Sequence, residues 1–334
     1  MIPEEISFVQ CGLGPIGLEL VQQAFDRENL RLVGAVDISP EFTGQDVGAI
    51  LPEQKLTGIP VTANLKETLK ETRPRVLVHA TVSSFRKAYP QLLEAVQTGS
   101  AVVSTCEELS YPWQASPDLS DSLDRAAKYH NVAVLGTGVN PGFLMDALVL
   151  TLTGVSKKVE TIAVHRIIDA SKRRLSFQEK IGVGLDIATF KERVKGKTLG
   201  HKGFHESIHM VADGLGWRLD RVTQRIEPVV AETSFRSPAC SIKKGDVIGL
   251  RQEGCGYSRK ERKIVLKFEA YLNAENPCDR IRLEGTPPLV LEIPGGVPGD
   301  TATASIVLNA IPRILMCPPG LITMRDLPLI HWRA

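Results

Sequence analysis

Aromatic residues are scarce in this 334-residue chain, at 5%, and neither sign of charge dominates: 40 Lys and Arg stand against 38 Asp and Glu. A nucleic-acid binder would carry a basic face interleaved with stacking rings. The most basic stretch, Lys157 to Arg225, holds 15 Lys and Arg against 8 Asp and Glu, but spreads them among periodic apolar residues. No run approaches the roughly 18 apolar residues of a membrane span. The amino terminus, MIPEEISFVQ, opens on acids and lacks the basic-then-apolar order of a secretory signal. The six cysteines, Cys11, Cys106, Cys240, Cys255, Cys278 and Cys317, include no CxxC pair, which argues against a disulfide framework. These absences point to a cytoplasmic globular protein with no nucleic-acid or membrane partner.

The chain is long enough for two domains, each with its own core. Over roughly the first 140 residues, short apolar runs (ISFVQC, LRLVGAV, VLVHAT, SAVVST, NVAVLG) alternate with helical patterns such as SSFRKAYPQLLEAVQTG and DLSDSLDRAAKYH. Strands alternating with helices predict a doubly wound parallel sheet covered on both faces. After Pro141 the rhythm changes. KKVETIAVHRIID reads as a strand, LSFQEKIGVGLDIATFKERVKG and GFHESIHMVADGLGW as helices, and four more strand-like runs follow. That order predicts an α+β domain with an antiparallel or mixed sheet. The expected division is 1–140, 141–300, and a tail over 301–334 whose TATASIVLNAIPRILM is helical and whose CPPGLITMRDLP is irregular.

The first strand runs straight into Gly12-Leu13-Gly14-Pro15-Ile16-Gly17, a GxGxxG turn opening a helix, and Asp37 ends the second strand 20 residues past Gly17. Gly12 permits the tight turn, Gly14 lets backbone approach a pyrophosphate, and Gly17 lets helix and strand pack closely. The helix N-terminus presents unpaired N–H groups to the phosphates. Asp37 can accept both ribose hydroxyls and would repel a 2′-phosphate, and ISPEF after it offers no Lys or Arg. The pattern favours NAD over NADP, with Ser39 the one group there suited to receive a phosphate.

HESIH, His205 to His209, matches HExxH, with Glu206 in the general-base position. Ala212 and Leu215 stand where an extended zinc motif needs Gly and His, and Glu232 lies in a strand-like run. A helix with histidines on its polar face is the simpler reading, and no metal is expected.

The fifth apolar run ends in STCEELSYPW, which places Glu107 and Glu108 at the carboxyl end of a core strand. In an open α/β sheet that edge is where ligands bind. Adjacent residues in extended backbone point opposite ways, so one acid should face a ligand and the other serve structure. At neighbouring strand ends, Ala80 and Thr81 should flank a nicotinamide ribose, Asn140 and Pro141 should close the pocket near the ring, and Ser104, Thr105 and Cys106 can add backbone contacts.

TGVNPGFLMD (Thr137 to Asp146), RIIDASKRR (Arg166 to Arg174), GDTATASIVLNAIP and PGLITMRDLP, in that order, resemble the 2,4-diaminopentanoate dehydrogenase family, which includes the native amine dehydrogenases. The fold of that family is related to dihydrodipicolinate reductase. The resemblance implies a Rossmann domain, an α+β domain whose sheet forms a homodimer, and a C-terminal segment returning to the first domain. It implies NAD(P)-dependent deamination of an amine to a ketone or aldehyde plus ammonia, reversible as reductive amination. It favours Glu107 over Glu108 as the catalytic acid and makes Phe143, Leu144 and Arg166 substrate-pocket candidates. The reductase's own His-His and Lys-x-Asp-Ala-Pro-Ser-Gly-Thr signature is missing, which counts against dihydrodipicolinate reduction. An imine or enamine reductase and a non-catalytic dinucleotide sensor are the competing readings.

Overall fold

The computed structural model describes residues 5–237 and 241–333. Cys240 and the first four residues, on which the signal-sequence reading partly rests, lie outside them. The chain divides into two compact units, Met1–Phe143 with Pro298–Ala334, and Leu144–Val297.

The first unit begins β1 (Ile6–Cys11), α1 (Pro15–Phe25), β2 (Leu30–Val36), β3 (Val61–Thr62), α2 (Leu65–Thr72), β4 (Val76–His79), α3 (Phe85–Gln97), β5 (Ala101–Ser104), α4 (Pro117–Tyr129) and β6 (Ala133–Gly136). Every residue of β4, β5 and β6 is buried. Strands without an exposed face belong in a sheet covered by helices on both sides, which is what their unbroken apolar runs require. Leu77, Phe85, Leu92, Val102, Leu109, Leu123 and Val134 form part of the core between sheet and helices. The sequence reading missed α2, whose LKETLKET is mostly polar. It is held by Asn64, whose side chain caps the Glu67 N–H at 3.2 Å.

The second unit contains α5 (Ala147–Thr153), β7 (Lys158–Asp169), α6 (Leu175–Lys180), α7 (Ile187–Lys195), α8 (Phe204–Gly214), β8 (Arg221–Val230), β9 (Phe235–Arg236), β10 (Ser241–Ile242), β11 (Val247–Ser258), β12 (Glu261–Tyr271), β13 (Cys278–Thr286) and β14 (Leu289–Pro294). Among the described residues its main sheet has six strands in the order β14-β13-β7-β12-β11-β8. It is mixed, because β7 and β12 run parallel while the other pairs are antiparallel. On β12, Ile264, Leu266, Phe268 and Ala270 are buried while Lys263, Lys267 and Glu269 alternate with them, the period-two pattern of a half-buried strand. The stretch read as one helix from LSFQEK to KERVKG is two. Gly182 (φ +82°) and Gly184 (φ +80°) break it, and the Gly184 N–H turns away to the Val247 carbonyl at 2.8 Å.

The chain then returns to the first unit as α9 (Gly299–Ile314) and β15 (Gly320–Ile322). The tail segment read as irregular therefore includes a strand. Among the described residues the first sheet is seven-stranded, ordered β15-β6-β5-β4-β1-β2-β3, and every pairing in it is parallel. The order reverses at β1: β2 lies on one side and β4 on the other. A crevice opens at the carboxyl ends of the strands at such a reversal.

Candidate active site at the carboxyl edge of the parallel sheet

Five backbone hydrogen bonds carry the sheet ladder past the strand ends and set the loops in register. Gly12 N–H bonds the Val36 carbonyl (2.8 Å), Asp37 N–H that of Thr62 (2.9 Å), and Ala80 N–H that of Cys11 (2.7 Å). Thr105 N–H bonds the His79 carbonyl (2.9 Å) and Thr137 N–H that of Ser104 (2.8 Å). The loops beginning at Gly12, Asp37, Ala80, Thr105 and Thr137 therefore all leave the sheet at one edge.

The three glycines of the turn do three different things. Gly12 has φ +90°, and a Cβ there would lie 2.5 Å from the Ala80 oxygen and 2.9 Å from the Thr81 methyl. A Cβ on Gly17 would lie 1.9 Å from the Gly12 oxygen, whereas one on Gly14 would meet nothing within 4 Å. Conformation requires the first glycine, packing the third, and the second leaves open space where a phosphate would approach. α1 starts with Pro15, its N-cap Gly14 supplies no side-chain cap, and its first turn carries no acid. The first turn thus keeps amides and the positive end of the dipole for an anion. These features fit a dinucleotide pyrophosphate.

Asp37 fixes the turn. Its Oδ2 accepts the Leu13 N–H at 2.6 Å and its Oδ1 accepts the Ser39 N–H at 2.8 Å. A carboxylate has about four acceptor sites, so two remain for ribose hydroxyls while the carboxylate fixes the turn. Gln10, buried in β1, supports the turn from below by donating to the Gly12 carbonyl at 2.9 Å.

Past β5 the backbone is not extended but forms a 3-10 turn over Glu107–Leu109. The two acids still separate. Glu108 Oε2 accepts the Phe85 N–H at 2.8 Å, capping α3 from a neighbouring loop where the helix's own Ser84 supplies no side-chain cap. The Glu108 N–H and the Cys106 thiol both bond the Ser83 carbonyl, at 3.3 and 3.2 Å. Burial, and then the Glu107 charge, push the Cys106 thiol up to about 12, so it is no nucleophile. Glu107 is half-buried; its carbonyl accepts the Ser110 hydroxyl at 2.8 Å, and among the described residues nothing is bonded to its carboxylate.

The remaining sequence candidates divide between the units. Asn140, Pro141 and half-buried Phe143 follow β6 in the first unit, while Leu144 is buried at the start of the second. Arg166 is 3% exposed on β7: its guanidinium sits 3.4 Å from Asp279 and donates to the Val297 carbonyl, and Asp279 accepts the Val297 N–H at 2.7 Å. Its head group is engaged inside the second unit.

The histidine motif separates as well. His205 and His209 lie on the outer side of α8, ring centroids 4.4 Å apart, whereas Glu206 between them is buried. Among the described residues no group of three or more His, Cys, Asp or Glu could hold a metal.

Sequence reasoning missed His79, a polar residue hidden in the apolar run VLVHAT. It is fully buried. Its Nδ1 lies 2.8 Å from Ser104 Oγ, and its Nε2 lies 2.9 Å from Gln91 Oε1 and 2.8 Å from Thr81 Oγ1.

The model of the 2,4-diaminopentanoate dehydrogenase C-terminal domain matches residues 143–333. The chain is also 32% identical over 332 residues to the 2,4-diaminopentanoate dehydrogenase of Acetoanaerobium sticklandii, covering 98% of this chain and 94% of that one. The chain belongs to the 2,4-diaminopentanoate dehydrogenase family. It is accordingly an oxidoreductase. Two further relatives widen the family's range. An amine dehydrogenase of Streptomyces virginiae is 23% identical, with 97% of this chain and 96% of that one covered. The solved amine dehydrogenase of Mycobacterium smegmatis superposes with a TM-score of 0.87 at 26% identity, covering 99% and 98%. Each of these matches covers nearly the full length of the chain. No helix among the described residues is long and apolar enough to cross a membrane.

Proposed function

We infer that this chain is an NAD(P)-dependent amine dehydrogenase that reversibly deaminates an amine to a ketone or aldehyde, with Glu107 as its catalytic acid–base group. Its relatives carry the activity class. One observation carries the residue: of the two adjacent acids, Glu108 is bonded to Phe85, while among the described residues no donor reaches the Glu107 carboxylate at the edge that bears the GxGxxG turn.

The chemistry needs such a group. A substrate ammonium has a pKa near that of Lys, roughly 10.4, so a base must take its proton before the nitrogen lone pair can drive hydride off the adjacent carbon. Bound nicotinamide supplies the hydride acceptor. Glu107 accepts that proton and releases it to solvent, and the carboxylate so restored stabilises the cationic iminium that forms on the substrate. It next orients water onto the iminium carbon and ammonia leaves. The balance is ammonium substrate plus NAD⁺ plus water giving carbonyl, ammonium, NADH and one proton.

Gly12 through Gly17 hold the pyrophosphate, Asp37 the adenine-side ribose, and Ala80 and Thr81 the nicotinamide side. Asp37, with Ile38-Ser39-Pro40 and no cation following it, favours NAD over NADP. The substrate is a small amine, either a diamino acid like that of the family's namesake or a simple alkyl amine. The internal engagement of Arg166 favours a bracing role for it over contact with substrate.

A second copy of the chain fits the sheet face of the second unit that carries Ala163, His165, Arg251, Lys267, Glu269 and Arg280, opposite the core residues. Charges there are already paired, Arg251 with Glu269 at 2.8 Å and Arg280 with Glu292 at 2.8 Å, so a dimer would bury few lone ions. The free cysteines and a nicotinamide coenzyme suit the cytoplasm.

The test follows NADH loss with a panel of ketones and aldehydes, with and without concentrated ammonia. Ammonia-dependent oxidation is expected. Carbonyl reduction without ammonia would make the chain a plain alcohol dehydrogenase, and tight NADH binding without turnover a sensor.

A further inference from the structure

The His79 ring joins three elements. Burial lowers its pKa to about 4, so the ring is neutral and carries one proton. Gln91 Oε1 can only accept, which puts that proton on Nε2. Ser104 Oγ already accepts the Cys106 N–H at 3.1 Å, so its own hydrogen points to the bare Nδ1. Thr81 Oγ1 donates to the same Gln91 oxygen at 3.0 Å. One arm therefore runs from Nε2 to Gln91 and to Thr81, whose Oγ1 also lies 2.8 Å from Nε2 and whose methyl packs against the Gly12 turn. The other runs from Nδ1 through Ser104 to the Cys106 amide, one residue before Glu107. The loops that follow the neighbouring strands β4 and β5, already joined at the Ser83 carbonyl and the Phe85 N–H, meet a second time on one imidazole.

We propose that His79 is a positioning residue that sets the Thr81 loop and the Glu107 loop relative to one another through separate hydrogen-bond arms. It rests on the amine dehydrogenase reading in that Glu107 is the acid being placed. The two ring nitrogens act separately, so the arms can be cut one at a time. An Asn amide reaches the Nδ1 position and a Gln amide reaches the Nε2 position.

His79→Asn keeps an acceptor for Ser104 and loses the Gln91–Thr81 arm. His79→Gln keeps a donor for Gln91 and loses the Ser104–Cys106 arm. The expected result is a crossed pattern. His79→Asn weakens NADH binding by about five- to tenfold, the worth of one hydrogen bond, with a smaller change in kcat. His79→Gln lowers kcat by a similar or larger factor with a smaller change in NADH affinity. Shifts of both quantities in the same proportion in both variants would reduce His79 to a structural core residue and overturn the proposal, as would no shift in either. If either variant fails to fold, Ser104→Ala decides. It should lower kcat while NADH still binds, and wild-type kcat in it would overturn the proposal. A wild-type enzyme without ammonia-dependent turnover would overturn the amine reading instead. The proposal would then be judged on NADH affinity alone, which His79→Asn must weaken and His79→Gln must spare.

Discussion

The Glu108 carboxylate accepts the Phe85 backbone N–H at 2.8 Å, a bond that sets it apart from the acid beside it. The first N–H groups of a helix have no partner within the helix. α3 draws its cap from a loop twenty-three residues away rather than from Ser84.

Replacing that cap should therefore be felt first as stability. Glu108→Ala is expected to destabilise the protein by about 1 kcal/mol, the usual worth of an N-cap. Denaturant titration should show a lowered midpoint with an unchanged slope. An unchanged midpoint would mean that the bond contributes nothing.

Gly14 and Gly17 make a matched pair of substitutions. Gly14→Ala meets no atom within 4 Å, so it should melt like the wild type while losing NADH affinity at least ~10-fold, because the methyl occupies pyrophosphate space. Gly17→Ala drives its methyl to 1.9 Å from the Gly12 oxygen and should destabilise by about 1–3 kcal/mol or prevent folding. Thermal melting beside NADH fluorescence titration checks both. Equal behaviour of the two variants would contradict the assigned roles.

Much of this arrangement was legible in the sequence because it is local. The strand–GxGxxG–helix order, Asp37 at the end of β2 and the acids past β5 are contiguous patterns set by backbone geometry. What stayed hidden depends on tertiary partners. Nothing in STCEELSYPW shows which acid will find Phe85, and nothing near His79 names Ser104 or Gln91. β15 was missed because three residues that follow Pro319 and open on a glycine carry no period; the strand exists because β6 offers a parallel edge to pair with. The break between α6 and α7 was visible as Gly182 and Gly184 but overridden by the apolar periodicity around them.

Acid should destabilise the protein through its buried histidine. The folded His79 binds a proton only near pH 4, the unfolded one near 6.5. Between those values the unfolded state holds more protons, so stability is full above pH 6.5 and falls as pH drops toward 4. The loss assigned to this ring is on the order of 3 kcal/mol. His209, also lowered to about 4 by burial and by His205, adds a slope of the same sign. Urea denaturation across that range should show the fall, and His79→Asn should flatten part of it. A slope unchanged in that variant would contradict the neutral buried ring.

The Glu107 carboxylate is tested most directly by the kcat of Glu107→Gln for ammonia-dependent carbonyl reduction, taken beside NADH binding on the same sample. The amide keeps shape and volume but can neither take a proton nor offset a cation. A loss of at least ~10²-fold in kcat with NADH still bound is the predicted result. Near wild-type turnover in Glu107→Gln, with the loss appearing in Glu108→Gln instead, would contradict it.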